Sequence, residues 1–197
     1  MGTGRLEAFS DGVLAIIITI MVLELKVPHG ANLASLKPVY PVLISYILSF
    51  INLGIYWNNH HHLMQTVDHV DAKVMWSNMH LLFWLSLVPF ASGWMGENNF
   101  EKYPVALYGF VLAMCGVAYH FLARSLIHLH GKKSTLAEAV GDDRKGIVSI
   151  AIYLAGVVLS FIQPWIGFGL YALVAAIWFL PDRRIEKKLE EVEEHDK

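Results

Sequence analysis

Arg5-Leu6-Glu7-Ala8-Phe9-Ser10-Asp11-Gly12 runs without a break into Val13-Leu14-Ala15-Ile16-Ile17-Ile18-Thr19-Ile20-Met21-Val22-Leu23. An arginine, a serine and an aspartate thus stand at the mouth of an apolar run long enough to enter a bilayer. Ionisable groups at membrane depth are costly and by default mark a functional or architectural site. The reading of the whole chain turns on what this helix does.

Composition sets its surroundings. The chain has 197 residues, 55% hydrophobic and 16% charged, with mean hydropathy +0.47. A soluble domain of this length needs far more polar surface to cover its core. The apolar residues also fall in long blocks rather than short amphipathic stripes, so the chain reads as an integral membrane protein. A net charge of −2 points to no nucleic acid and no acidic partner. The one cysteine, Cys115, lies in an apolar run and cannot form an internal disulfide. Arg5 and the apolar stretch ending near Val27 mimic a signal peptide, but Asp11 interrupts its start and no small-x-small cleavage site follows. The segment is expected to be a retained helix.

A spanning helix needs about 20 mainly apolar residues. Six segments qualify, near 5–26, 39–65, 73–95, 104–129, 145–163 and 165–182, with Pro28, Pro38, Pro41, Pro104, Pro164 and Pro181 at or near their ends. The short Gln163-Pro164-Trp165 connection predicts an antiparallel hairpin for the last two. With six spans, twelve of the fifteen lysines and arginines fall on the side of the two termini, and only Lys26, Lys37 and Lys102 on the other. That asymmetry places both termini in the cytoplasm of a multi-pass protein of the cell membrane. One six-helix domain over 1–182 and a charged cytoplasmic tail over 183–197 are expected.

Orientation brings polar residues of three helices to one depth. Ser10 and Asp11 enter from the cytoplasm, Trp57, Asn58, Asn59, His60, His61 and His62 return to it, and Trp76, Asn78 and His80 leave it again. On an ideal helix Ser10 and Asp11 point away from the face defined by Ile16, Ile20 and Leu23, into the subunit. A buried carboxylate requires partners; His60, His61, Asn78 and His80 are the candidates, and spacing does not choose among them. A metal site at His60-His61-His62 is the competing reading. Consecutive helical residues diverge by about 100°, whereas zinc or iron sites use spaced ligands, so structural hydrogen bonding is preferred. His80 and His120 are embedded, with nothing to pair them as haem ligands. Asp11, Glu24, Asp68 and Asp71 form no catalytic pair, and no G-x-S-x-G motif is present. No enzymatic activity is expected.

Ile16, Ile20 and Leu23 form one bulky stripe at i, i+4, i+7, with Thr19 beside it. Such stripes most often mark ordinary helix packing, and the residues by themselves leave packing and pore both open. No TVGYG-like filter loop is present. A 22.2 kDa subunit could hardly enclose a selective pore alone, so conduction would call for oligomerisation about a symmetry axis.

Arg5-x-x-x-Phe9-Ser10-Asp11 followed by Gly12-Val13-x-Ala15-Ile16-x-Ile18-Thr19 resembles the first-helix signature of the transmembrane-protein-175 potassium channels, in their short prokaryotic branch. Tyr56-Trp57-x-x-His60-His61-x-Leu63 and Trp76-x-Asn78-x-x-Leu81-Leu82, with Pro89-Phe90 beyond, extend the resemblance. It implies an all-α homotetramer of six-helix subunits in the lipid bilayer, with four first helices around a potassium-selective pore. Matched residue by residue, it makes Ile16, Ile20 and Leu23 the hydrophobic constriction and Thr19 the hydroxyl layer linked to selectivity. Ala15 stands where some relatives carry serine, a departure expected to weaken the preference for potassium over sodium. Glu24 would attract cations at the outer mouth. Arg5, Phe9, Ser10, Asp11, Trp57, His60, His61 and Asn78 would form the structural network that holds the first helix in register, although ideal geometry turns Arg5 toward the axis. No metal or cofactor is implied, only permeant potassium. The alternatives are a weakly selective cation or proton pore, since buried histidines titrate near neutrality, and a non-conducting metal-binding or scaffold protein.

Overall fold

The computed structural model describes residues 2–131, 134, 136–137, 141 and 143–179; the charged tail lies outside them. Seven α-helices are described: α1 Gly4–Leu23, α2 Tyr40–Gln65, α3 Ala72–Ser86, α4 Val88–Glu97, α5 Lys102–His130, α6 Arg144–Ser160 and α7 Pro164–Phe179. A 3-10 turn over Leu33–Val39 leads into α2. It starts where the Asn32 side chain accepts from the Ser35 amide at 3.1 Å, and it ends at a proline-initiated helix.

The expected single helix near 73–95 is two. α3 and α4 meet at Leu87, one residue before Val88-Pro89 begins the new helix. Pro89 has no N–H to donate and its ring crowds the carbonyl four residues back, so the ladder breaks just before it. The two pieces still form one pass, making six in all. Four passes, Gly4–Leu23, Leu33–Gln65, Ala72–Glu97 and Lys102–His130, are long and apolar enough to cross a membrane, while α6 and the described part of α7 have 17 and 16 residues.

α5 is the central post and packs on α3, α4, α6 and α7; α1 lies at the margin against α2, α3 and α4. Between helices the buried polar residues are mostly small, namely Ser45, Ser49, Ser92, Ser125, Ser149 and Ser160. This is how membrane helices approach closely where lipid is as apolar as leucine. Glycines serve the same end. A Cβ on Gly109 of α5 or Gly156 of α6 would overlap the buried Tyr171 ring of α7, so the three helices close only around two missing methyls. Large apolar side chains such as Ile44, Ile47, Phe83, Phe90 and Val158 face outward instead.

The two ends of the bundle differ. At one, Gly2 pairs its backbone with His69 of the α2–α3 turn, and the His69 ring meets His130 at the end of α5. At the other, Phe100 packs on Trp165 and Phe168, and Lys26 pairs with Glu97 at 2.6 Å. The Glu97 carboxylate, by hydrogen bond and by charge, holds the exposed Lys26 ammonium above its ordinary range.

Candidate functional site

α1 carries two opposed faces. Leu6, Ser10, Leu14, Ile17 and Met21, spaced by three and four residues, are buried against the subunit. Arg5, Phe9, Gly12, Ala15, Ile16, Thr19, Ile20 and Leu23 are exposed, Ile16 by 59%, Ile20 by 44% and Leu23 by 77%. The bulky stripe read from the sequence is therefore the face its own subunit leaves uncovered, and packing within the subunit does not account for it.

The buried face is fixed by one directed chain of hydrogen bonds. The Ser10 hydroxyl donates to the Leu6 carbonyl at 2.8 Å, and its oxygen accepts from the Asn78 carboxamide N–H at 2.9 Å. This orients the amide of Asn78 so that its oxygen accepts from His60 Nε2–H at 2.8 Å. All three side chains are buried, and α1, α2 and α3 are joined at one point. Each of these three bonds matches a donor to an acceptor, as a low-dielectric interior demands. His60 Nδ1 is buried and, among the described residues, has no hydrogen-bond partner.

Asp11 does not join that chain. Its carboxylate accepts from the Trp57 indole N–H at 3.0 Å, so its partner is none of the four expected. One turn earlier Glu7 accepts from His61 Nδ1 at 2.8 Å, and the Gln65 carboxamide donates to His61 Nε2 at 2.9 Å. The Trp57 and His61 rings stack at 6.2 Å. Glu7 and Asp11 thus meet His61 and Trp57 as rungs of an antiparallel ladder. The i, i+4 spacing of Glu7 and Asp11 on one helix and of Trp57 and His61 on the other is the sequence signal of this ladder, and it adds Glu7 to the residues that hold α1. Arg5 and Phe9 lie on the exposed stripe and take no part in these bonds.

The remaining histidines separate. His60 and His61 turn to different helices, and among the described residues no three His, Cys, Asp or Glu side chains gather as a metal-ligand set. His80 accepts from Trp84 Nε1 at 2.9 Å. His120 pairs with a carboxylate, Asp143, at 2.6 Å. Asp143 stands ahead of α6 in the left-handed conformation (φ 50°) and bonds α5 instead of capping its own helix.

On the exposed face the Thr19 hydroxyl lies 2.9 Å from both the Ala15 and Ile16 carbonyls. Its proton is held by the backbone, which leaves the oxygen lone pairs as the outward chemistry of this side chain. Glu24 follows the helix, exposed, beside Gly93 of α4.

Residues 5–89 match the family described as endosomal/lysosomal potassium channel TMEM175. A potassium channel of Chryseobacterium sp. (strain P1-3) is 56% identical over 191 residues, covering 97% of this chain and all of that one. A potassium channel of Chamaesiphon minutus (strain ATCC 27169 / PCC 6605) is 30% identical over 189 residues, 90% of this chain and 93% of that one. The crystal structure of a lysosomal potassium-selective channel TMEM175 homologue from Chamaesiphon minutus superposes with TM-score 0.79 at 27% identity, covering 90% of this chain and 96% of that one. These relatives are ion channels, not enzymes. Sequence and fold agree over nearly the full length: the chain belongs to the TMEM175 potassium channel family.

Proposed function

We propose that the protein is a passive potassium channel, a homotetramer in which four copies of α1 surround the conduction path. The observation that carries this reading is the uncovered stripe of Ile16, Ile20 and Leu23 on a helix whose opposite face is hydrogen-bonded into the subunit. A helix fixed on one side and bare on the other is suited to line a shared axis. Rings of these three side chains would resist ions by dewetting and so serve as the gate. Thr19, with its proton committed to the backbone, would offer oxygen to a partly dehydrated cation. Glu24 would draw cations to the outer mouth. The Ser10–Asn78–His60 chain and the Asp11–Trp57 and Glu7–His61 rungs would keep the stripe facing the axis.

The same reading places the six passes of residues 1–182 in the cell membrane, with both termini and the 183–197 tail in the cytoplasm. On this reading conduction needs no cofactor besides the permeant potassium ion. Potassium flux into liposomes reconstituted with the purified oligomer tests it. Flux carried by wild type and raised by Ile20→Asn is expected. No flux from either protein, with intact oligomers, would overturn it, and flux that passes protons or sodium as well as potassium would replace it with an unselective pore.

A further inference from the structure

α5 ends in His128-Leu129-His130-Gly131, and Gly131 leaves the helix at φ 93°. His130 Nδ1 lies 3.1 Å from the Leu126 carbonyl oxygen. A carbonyl can only accept, so Nδ1 donates, and in the neutral ring the lone pair sits on Nε2. That Nε2 is buried and, among the described residues, meets no hydrogen-bond partner. A backbone carbonyl that fixes the tautomer and aims the other nitrogen is the arrangement found behind metal-binding imidazoles.

A second imidazole lies against it. The His69 ring, from the α2–α3 turn, has its centroid 4.7 Å from that of His130, with the planes inclined by 50°. Nitrogens at about 2.0–2.1 Å from a tetrahedral zinc ion are roughly 3.3 Å apart, and His69 is the exposed member of the pair. The backbone of His69 is also bridged to Gly2, two residues before α1 begins.

We propose that His69 and His130 form a two-imidazole site for a divalent transition metal ion of the zinc class, with water in the remaining positions, and that the ion restrains the start of α1. Imidazole nitrogen suits zinc, copper and nickel rather than calcium or magnesium. The ion would tie the α2–α3 turn to the end of α5, and through the Gly2–His69 bridge hold the first turn of α1. The second half of the proposal rests on the reading of α1 as the pore wall, under which a restrained first turn lowers conduction.

Chelator-stripped oligomer titrated with zinc chloride in a calorimeter tests the site without any transport measurement. Wild type is expected to bind one zinc per subunit. His69→Ala and His130→Ala should each weaken binding about tenfold or more, while His29→Ala, at the opposite end, leaves it unchanged. Should His130→Ala fail to assemble, the exposed His69 carries the test alone. No stoichiometric binding, or equal binding by wild type and His69→Ala, overturns the site. Zinc should then lower potassium flux through wild type and not through His69→Ala. Zinc that binds without changing flux overturns the link to α1. A protein that binds zinc and carries no potassium overturns the channel reading and leaves the site standing.

Discussion

Asn78 of α3 donates to the Ser10 hydroxyl of α1 at 2.9 Å, inside the subunit and out of reach of water. Its other amide atom holds His60 of α2, so a single carboxamide sets the rotation of the first helix relative to two neighbours. Asn78→Leu fills the space but strands the Ser10 oxygen and the His60 N–H. A loss of about 1–2 kcal/mol is expected, read as a lower unfolding midpoint of the purified protein. Ser10→Ala and Asn78→Leu combined should cost less than the sum of the two, because each removes the same bond.

The Trp57–Asp11 rung is half-exposed and should be weaker. Trp57→Phe removes one N–H donor to a carboxylate, with an expected loss of about 0.5–1.5 kcal/mol. Asp11→Asn can keep an acceptor oxygen at that place and should cost less. Thermal unfolding of the two variants side by side checks the order; an equal or reversed order would mean that Asp11 has a partner other than the indole.

Ile17 and Ile20 separate the two faces of α1. Ile20→Asn puts an amide on the uncovered stripe and should raise resting flux about tenfold or more, which needs only ~1.4 kcal/mol off the barrier. Ile17→Asn puts the same amide into the packed face, where Ile17 is 4% exposed. It should cost about 1–3 kcal/mol of stability without opening the path. Liposome flux and thermal unfolding measured on both variants would refute the assignment of faces if the effects were exchanged.

Thr19 tests selectivity by its oxygen alone. Thr19→Val keeps the shape and removes the hydroxyl, so the preference for potassium over sodium should fall toward unity. Thr19→Ser keeps the oxygen and the backbone acceptors of its proton and should retain most of it. Bi-ionic reversal potentials decide. Unchanged selectivity in Thr19→Val would remove Thr19 from the selectivity layer.

Gly156→Ala tests packing away from α1. The new methyl would overlap the Tyr171 ring, and overpacking of a closed core costs about 1–3 kcal/mol. A lower unfolding midpoint with unchanged selectivity is expected, because this contact joins α6 to α7 and does not touch α1.

The positions of the six passes were legible in the residues because a bilayer sorts sequence by length and polarity, both one-dimensional properties. The third pass shows the limit. Pro89 was visible, yet the break at Leu87 follows from a clash one turn back along the built helix. The opening motif marked α1 as the helix that matters, and the helical repeat separated Ser10 from Ile16. Sequence could also collect Trp57, His60, His61 and Asn78 at one depth.

Which of them touch was decided only by tertiary structure. Partner choice depends on how far each helix is rotated about its axis and how closely it crosses its neighbours, and hydropathy carries neither quantity. That rotation gave Asp11 to Trp57 rather than to a histidine, brought Glu7 to His61, and left Arg5 and Phe9 outside the network on the exposed stripe. It likewise set His69 against His130, residues 61 positions apart whose meeting requires the α2–α3 turn and the end of α5 to close on the same face. Composition and period determine what a helix must bury; only the packed bundle determines against whom.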